Sequence, residues 1–233
     1  MKVILLAGGL GTRISEETDT KPKPMVLLDD KPIIWHLMSI YAAQGFDDFL
    51  IATGYKGFVI EEWVSNLKTD WQVKTLDTGL DTQTGGRIKK CMDTLPGERI
   101  MVTYGDGLGN ININELLNFH LKLGKLSTVT AVRPPARFGV LESSNGVVTH
   151  FGEKKQSDVG WINGGFFILE PKVSEFVEND LEPFESHVMP RLVEKNNLAA
   201  YHHEGFWQPM DTLREKNELS ELVKLENPPW LKI

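Results

Sequence analysis

The sequence predicts an α/β fold, a Rossmann-like and mainly parallel sheet flanked by helices. From residue 3 to residue 132, short apolar runs alternate with segments of helical periodicity, a rhythm typical of β-α-β units. The first run, residues 3–6, leads into the turn Gly8-Gly9-Leu10-Gly11. Another run, residues 100–104, leads into Gly105-Asp106-Gly107. Both turns are therefore expected at the carboxyl edge of the sheet, where ligands of such folds bind.

The elements follow from periodicity and from turn residues. Strands are predicted where apolar runs are short, over residues 3–6, 49–52, 72–76, 100–104 and 127–132. Helices are predicted where apolar residues recur at helical spacing, over residues 31–43, 54–66, 87–92 and 114–123. Pro32 suits the first of these helices at its start, and Gly45 suits its end.

The second half of the chain has a different pattern. Ser143-Ser144-Asn145-Gly146 predicts a β-hairpin between residues 138–141 and 147–151, since Asn-Gly favours tight hairpin turns. Strands are then expected over residues 162–169 and 199–203, and helices over residues 172–178, 186–195 and 212–225. No repeat or linker interrupts this half, so we expect an elaboration of one domain spanning residues 1–233.

Composition narrows the classes of partner. The 233 residues are 41% hydrophobic, enough for a proper core, and carry a formal net charge of −7. Without a basic stripe, nucleic acid and anionic membranes are not expected partners. Cys91 is the single cysteine, which excludes an internal disulfide framework and favours a buried, inert thiol. No apolar run reaches 18 residues and no leader is recognised, so a soluble, cytoplasmic protein is expected.

The glycine-rich turn predicts a phosphate-binding loop, because glycine exposes backbone N–H groups to an anion. Arg13 and Lys23, the latter between two prolines, add positive charge. The dinucleotide fingerprint lacks its third glycine, since Thr12, Arg13 and Ile14 follow Gly11. No Gly-Lys-Ser/Thr sequence of a P-loop occurs. A plain strand-to-helix turn stays open as the alternative.

Two aspartates are candidate metal ligands. Asp106 lies between glycines at a predicted strand end, and Asp211 precedes the last predicted helix. Mg²⁺ commonly takes only one or two protein carboxylates, with phosphate and water completing its shell. The alternatives are a turn aspartate for Asp106 and a helix N-cap for Asp211. His202 and His203 point to opposite faces of a strand and do not form a metal site.

These motifs together resemble the sugar-1-phosphate nucleotidylyltransferases, and most of all the glucose-1-phosphate cytidylyltransferases. The general family pattern is Gly8-Gly9-Leu10-Gly11-Thr12-Arg13 followed by Pro22-Lys23. The closer resemblance rests on further runs spread over essentially the whole chain: Ile14-Ser15-Glu16-Glu17-Thr18, Lys21-Pro22-Lys23-Pro24-Met25, Asp77-Thr78-Gly79, Thr84-Gly85-Gly86-Arg87, Thr103-Tyr104-Gly105-Asp106-Gly107, Arg137-Phe138-Gly139, Ile162-Asn163-Gly164-Gly165-Phe166-Phe167 and residues 205–214.

The resemblance implies a role for each matching residue. Arg13, Lys23 and Asp106 are expected to be catalytic, and Asp106 and Asp211 to bind Mg²⁺. The residues expected at the nucleotide are Leu6, Ala7, Gly8, Gly9, Leu10, Gly11, Thr12, Arg13, Lys23, Thr82, Arg87 and Gly105. Those expected at the sugar phosphate are Gly139, Glu153, Lys154 and Asn163. Residues 1–133 then form the nucleotide-binding half, and residues 134–233 form the sugar-binding elaboration.

The implied reaction joins CTP and glucose 1-phosphate into CDP-glucose and pyrophosphate, with Mg²⁺, in a homo-oligomer. The product would serve deoxysugar synthesis for surface polysaccharide. There are two alternatives. The enzyme could use another nucleotide or another sugar 1-phosphate, or the chain could be a catalytically silent sugar-nucleotide-binding subunit. The chain departs from the family pattern at Lys155, where the family has proline, and in a short segment between Trp71 and Asp77.

Overall fold

The computed structural model describes residues 1–9, 11, 14–134, 139–153 and 160–232. The predictions made for Leu10, Thr12, Arg13 and Lys154 lie outside these described residues. None of the helices in the described ranges is long and apolar enough to span a membrane.

The chain forms thirteen strands and seven α-helices within the described residues. The strands are β1 (Val3–Leu6), β2 (Leu27–Leu28), β3 (Lys31–Pro32), β4 (Asp48–Thr53), β5 (Gln72–Asp77), β6 (Ile100–Tyr104), β7 (Gly107–Gly109), β8 (Ser127–Val132), β9 (Gly139–Ser144), β10 (Val147–Glu153), β11 (Ile162–Leu169), β12 (Leu198–His203) and β13 (Trp207–Pro209). The helices are α1 (Ser15–Thr18), α2 (Ile33–Ala42), α3 (Gly57–Ser65), α4 (Thr84–Asp93), α5 (Ile113–Leu123), α6 (Met189–Glu194) and α7 (Leu213–Val223). The predicted bounds of β1, β6, β8 and β11 are confirmed to the residue.

Seven strands form the central sheet, in the order β12-β8-β11-β6-β1-β4-β5. β11 is antiparallel to both of its neighbours, β6 and β8, whereas the other neighbouring pairs are parallel. The prediction of a mainly parallel sheet is confirmed. Because β11 is reversed, its first residues lie at the edge where the parallel strands end, and Asn163 pairs with Ala131 near the end of β8.

Two apolar cores cover the two faces of the sheet. Successive residues of β1 alternate between them, with Val3 and Leu5 in one core and Ile4 and Leu6 in the other. The first core receives α2, α5 and α7, and the second receives α4 and α6. This confirms helices on both faces. Cys91 lies in the second core, as predicted, where burial raises the pKa of its thiol to about 12.

The structure corrects several local predictions. Lys31–Pro32 forms β3, which pairs with β2 across a tight turn, so the helix predicted from Lys31 begins at Ile33. The segment predicted as a helix over residues 172–178 is the 3₁₀-helix Pro171–Phe176. The helix predicted from residue 186 begins as a π-helix at Phe184–Val188 and continues as α6.

The predicted β-hairpin is present as β9 and β10, which pair in antiparallel register. Asn145 and Gly146 form its two-residue turn, with φ of 51° and 80°. Positive φ at both turn residues is the type I′ geometry, which explains the Asn-Gly sequence.

Candidate active site

The loops that follow β1, β4, β5 and β6 meet at one edge of the sheet. These four strands are mutually parallel neighbours in register, so their carboxyl ends lie side by side. Gly8 follows β1, Gly54 follows β4, Thr78 follows β5 and Gly105 follows β6. The glycine-rich turn and Asp106 therefore share one edge, as the sequence predicts.

Lys23 is the centre of the charged part of this site. It begins the short 3₁₀-helix Lys23–Met25, and only 6% of its surface is exposed. Its ammonium lies 2.6 Å from Oδ2 of Asp106 and 2.6 Å from Oδ1 of Asp211. Three residues from distant parts of the chain thus form one cluster, in which two half-buried carboxylates contact one buried cation.

Asp106 is held by the backbone on both of its sides. The N–H of Gly105 donates to the carbonyl of Leu6 at 3.1 Å, and the carbonyl of Asp106 accepts the N–H of Met210 at 2.8 Å. β7, which starts just after Asp106, pairs with β13, which ends just before Met210. This short two-stranded sheet brings Asp106 and Asp211 together.

Asp211 lies two positions before the first residue of α7, and the structure shows that it is not the N-cap. Thr212 is the N-cap, and it forms a capping box with Glu215. The carboxylate of Glu215 accepts the N–H of Asp211 at 2.7 Å and that of Thr212 at 3.0 Å. The N-cap alternative for Asp211 is therefore wrong, and its side chain reaches Lys23 instead.

Arg87 contributes a second buried cation to the same edge. Only 4% of its surface is exposed, and its guanidinium donates to the backbone carbonyls of Gly8, Thr53, Gly79 and Leu80 and to the hydroxyl of Thr78, over 2.6–3.2 Å. Burial lowers the pKa of the guanidinium from its ordinary value. Arg87 therefore joins the loops after β1, β4 and β5. Its predicted direct contact with a nucleotide stays a prediction.

Thr82 lies in the loop that Arg87 holds. Its hydroxyl donates to the carbonyl of Thr78 at 2.6 Å and accepts from the ammonium of Lys90 at 3.2 Å. Its role at the nucleotide also stays a prediction.

A hydrogen-bonded network is centred on Tyr104, two residues before Asp106 in the chain. Asn163, at the start of β11, donates from Nδ2 to the hydroxyl of Tyr104 at 3.0 Å. The hydroxyl of Tyr104 in turn donates to the carboxylate of Glu185. Burial, with a smaller contribution from the nearby charge of Glu185, raises the pKa of Tyr104, so this hydroxyl keeps its proton. The network leads from β6 and β11 to the π-helix Phe184–Val188.

The remaining sugar-side predictions fall on the β-hairpin. Gly139 is the first residue of β9 and pairs with Glu153, the last residue of β10. Their backbones are therefore adjacent, whereas the side chain of Glu153 lies outside the described part of the chain.

Trp207, His202 and His203 contact other parts of the protein through packing and hydrogen bonds. The indole N–H of Trp207 donates to the carbonyl of Gly164 at 2.9 Å, and its ring contributes to the first core. The ring of His202 packs against Trp161 at 4.5 Å, and His203 contacts the carbonyl of Phe206. Among the described residues, no group of three or more His, Cys, Asp or Glu could hold a metal ion.

Three residues of the site were not predicted from the sequence: Glu215, Tyr104 and Glu185. The pattern Thr212-x-x-Glu215 is a capping-box signature, so the role of Glu215 was available from a local signal. Tyr104 adjoins the Gly-Asp-Gly motif. Glu185 carries no local signal, because its partners lie 81 and 101 residues away along the chain.

Fold and site together define an α/β enzyme whose ligand edge combines a glycine-rich loop, a buried lysine and two aspartates. The chain belongs to the nucleotidyl transferase family, whose profile matches residues 2–215. The prediction of a nucleotidyltransferase, made from the sequence motifs, is therefore confirmed.

Individual relatives narrow the comparison. The chain is 42% identical to a glucose-1-phosphate cytidylyltransferase of Salmonella typhi, over 99% of this chain and 98% of the relative. It is 38% identical to a probable glucose-1-phosphate cytidylyltransferase of Bacillus subtilis, over 99% of each chain. The first alignment spans 253 positions against the 233 residues of this chain, so the relative carries segments that this chain lacks.

Solved structures support the fold. HddC of Yersinia pseudotuberculosis, in a crystal structure with GMP-PN, superposes with a TM-score of 0.76 over 96% of this chain and 99% of HddC, at 24% sequence identity. This similarity places the chain in the nucleotide-diphospho-sugar transferase fold.

Proposed function

We propose that this chain transfers a cytidylyl group from CTP to glucose 1-phosphate, giving CDP-glucose and pyrophosphate. The observation that carries the proposal is the 42% identity over nearly the whole chain to a relative named for this activity. The cluster of buried Lys23 with Asp106 and Asp211 supports it, because a silent binding subunit would not need two aspartates and a lysine at one point.

The reaction requires little proton chemistry from the protein. The phosphate of glucose 1-phosphate is largely dianionic near neutral pH, since the second pKa of phosphate monoesters is about 6. One of its oxygens attacks the α-phosphorus of CTP and forms a new P–O bond. The bond from the α-phosphorus to the bridging oxygen breaks, and its electron pair leaves with pyrophosphate. The enzyme must bring two anions together and stabilise the charge on phosphorus.

We assign the charge-stabilising role to Lys23 and to Arg13. Lys23 is suited to it, because an ammonium is a compact point charge with three donors that can exchange one oxygen partner for another. Its neighbours Pro22 and Pro24 restrict the backbone around it. The loop of residues 6–13 is the segment to which we assign the nucleotide phosphates, and a Cβ atom on Gly9 in this loop would meet nothing within 4 Å.

Asp106 and Asp211 are the residues that would hold a divalent metal. Their fit is tested by the structure itself, since one oxygen of each already lies 2.6 Å from the same cationic atom. Two carboxylates with phosphate and water as further ligands suit Mg²⁺. When bound, Mg²⁺ would supply Lewis-acid stabilisation of phosphate oxygens.

We further propose that the two halves of the chain serve the two substrates. Residues 1–133 supply the nucleotide side, with Arg87, Thr82 and Gly105 at the nucleoside. Residues 134–233 supply the sugar side, with Gly139, Glu153, Lys154 and Asn163. We further propose that the protein acts as a homo-oligomer.

The decisive experiment measures pyrophosphate release from CTP, UTP, dTTP and GTP, each with glucose 1-phosphate and with its epimers. CTP with glucose 1-phosphate is expected to give the highest kcat/KM. Preference for another nucleotide would overturn the cytidylyl assignment, and no turnover with any pair would favour the silent binding subunit. Asp106→Asn is the matched inactive control, and its activity is expected to fall by orders of magnitude with the fold retained.

A further inference from the structure

Glu185 accepts hydrogen bonds from two hydroxyl groups that belong to different elements of the fold. Oε2 of its carboxylate accepts the hydroxyl of Thr84 at 2.8 Å, and Oε1 accepts the hydroxyl of Tyr104. Thr84 is the first residue of α4, and Tyr104 is the last residue of β6. Neither the general reaction nor the family motifs quoted above assign a task to Glu185.

The charge of Glu185 sets the direction of these hydrogen bonds. An ionised carboxylate only accepts, whereas a hydroxyl has one proton to donate and lone pairs that accept. Tyr104 therefore gives its single proton to Glu185. Toward Asn163, 3.0 Å from its hydroxyl, Tyr104 is left to act as an acceptor.

This direction and the backbone N–H of Gly165 together fix the side-chain amide of Asn163. Its Nδ2 donates to Tyr104, and its Oδ1 accepts the N–H of Gly165 at 2.8 Å. If the amide were turned over, Oδ1 would meet an oxygen without an available proton, and Nδ2 would meet the N–H of Gly165. Both contacts would be lost, so only one orientation is compatible with the network.

We propose that Glu185 is a positioning residue for the sugar phosphate, acting through Tyr104 to fix which edge of the Asn163 amide faces the sugar. The inference rests on the proposed function, in which Asn163 lies at the sugar. In the fixed orientation, the second N–H of Asn163 and the second lone pair of its carbonyl oxygen are available to sugar hydroxyls.

The geometry around Tyr104 supports a rigid connection. Its ring packs against Phe167 with ring centroids 5.6 Å apart. A Cβ atom on Gly165 would lie 2.5 Å from the same ring, and Gly165 has a φ of 79°. Only glycine fits this position, so β11 approaches Tyr104 closely enough for Asn163 to reach its hydroxyl.

The test is steady-state kinetics of Glu185→Gln, which keeps the size of the side chain but adds a donor, and of Tyr104→Phe, which removes the hydroxyl. Each variant is expected to raise the KM for glucose 1-phosphate about five- to tenfold, the weight of one neutral hydrogen bond. The KM for CTP should stay within about twofold. Glu194→Gln, at an exposed position on α6, is the matched control and should behave as the wild type.

A double-mutant cycle separates positioning from general structural support. In an Asn163→Ala background, Glu185→Gln should add nothing to the KM for glucose 1-phosphate, because its effect passes through Asn163. Additive effects would overturn the proposal, as would an unchanged KM in both single variants or an equal rise of both KM values. Tyr104→Phe keeps the test valid if Glu185→Gln does not fold.

The wild-type protein distinguishes this inference from the proposed function. If it uses a different sugar 1-phosphate, the same ratios of KM are measured with that sugar, and the role of Glu185 is tested independently of the substrate's identity. If it turns over no pair, binding of glucose 1-phosphate measured by calorimetry replaces KM, and equal affinities in wild type and Glu185→Gln would overturn the inference.

Discussion

Lys23 and Arg87 are both buried cations at the same edge of the sheet, yet their partners differ in kind. Lys23 contacts two carboxylates, Asp106 and Asp211. Arg87 contacts neutral oxygens, four backbone carbonyls and one hydroxyl. Their exposed fractions, 6% and 4%, are nearly the same. Burial alone therefore does not tell which of two cations performs chemistry.

The partners do distinguish them. A lysine among acids can exchange a carboxylate for a phosphate oxygen, because its ammonium is a point charge without a preferred plane. A guanidinium whose donors point to carbonyls from three loops has a fixed geometry that is lost if any loop moves. We infer that Lys23 acts on substrate and that Arg87 maintains the loops that surround it.

The largest expected effect is on catalysis by Lys23→Met. Loss of the ammonium removes the charge that we assign to the phosphates, and kcat should fall by about 10²–10³-fold, as for loss of one preorganised donor to a developing oxyanion. The measurement is pyrophosphate release under saturating substrates, with circular dichroism as the check on folding. Activity close to that of wild type would remove Lys23 from the reaction.

Arg87→Met should produce the opposite profile, with stability as the main loss. The carbonyls of Gly8 and Thr53 would lose a buried donor, and we expect the free energy of unfolding to fall by about 3 kcal/mol. For a chain of this size, thermal unfolding should move down by about 6–12 °C. A melting temperature unchanged from wild type would contradict the loop-joining role.

Substitutions of two adjacent glycines, Gly8 and Gly9, test the contacts of Arg87 with a smaller expected loss of stability. A Cβ atom on Gly8 would lie 2.2 Å from Nη1 of Arg87, whereas a Cβ atom on Gly9 would meet nothing within 4 Å. Gly8→Ala should therefore displace the guanidinium and lower the stability by about 1–2 kcal/mol. In thermal unfolding, Gly9→Ala is the stability control and should stay close to wild type; equal losses would show that backbone freedom, and not Arg87, sets the cost.

The smallest effect concerns a third cation, Arg191, which pairs with acids as Lys23 does but far along the chain from the glycine-rich loop. Both of its terminal nitrogens lie 2.8 Å from the carboxylate of Glu182. These hydrogen bonds lower the pKa of Glu182 from 4.5 to about 2. The stabilisation is thus complete above pH 4.5 and is lost as the pH falls through about 2.

Glu182→Gln tests this dependence. The variant should melt below wild type at pH 7, and the difference should shrink as the pH falls toward 2, where the wild-type carboxylate becomes protonated. Thermal unfolding over this pH range is the measurement. A difference that is independent of pH would show that the contact does not depend on the charge of Glu182.

The sequence was sufficient for the parts of the site that depend on local patterns. Apolar runs followed by glycine located the ends of β1 and β6, and hence the glycine-rich loop and Asp106. The cluster of Lys23 with Asp106 and Asp211 was predicted only as three separate residues near phosphate. Their direct contact depends on the pairing of β7 with β13, which no local pattern encodes.

Side-chain direction explains most of what was not predicted. The contact of Arg87 with a nucleotide stays a prediction. What the sequence did not predict is that its guanidinium occupies the space left by Gly8 and Gly54 and donates to the carbonyls of Gly8 and Gly79. From the sequence, Asp211 could have been the N-cap of the last helix. In the structure, Thr212 is the N-cap. The direction of each side chain depends on residues that are close to it in space but far from it in the sequence.

The reversed strand β11 has a consequence for the order in which the chain can fold. β8 borders only β11 and β12 in the central sheet, and both of these strands follow it in the sequence. During synthesis, β1, β4, β5 and β6 can associate as soon as residue 104 has emerged, but β8 must wait for residues 162–169. The central sheet is completed only when β11 pairs with β6 and β8. Such pairings, between strands that are far apart in the sequence, form slowly. Until they form, the edge of β6 is an exposed template for strand pairing, and β11 is the strand that covers this edge.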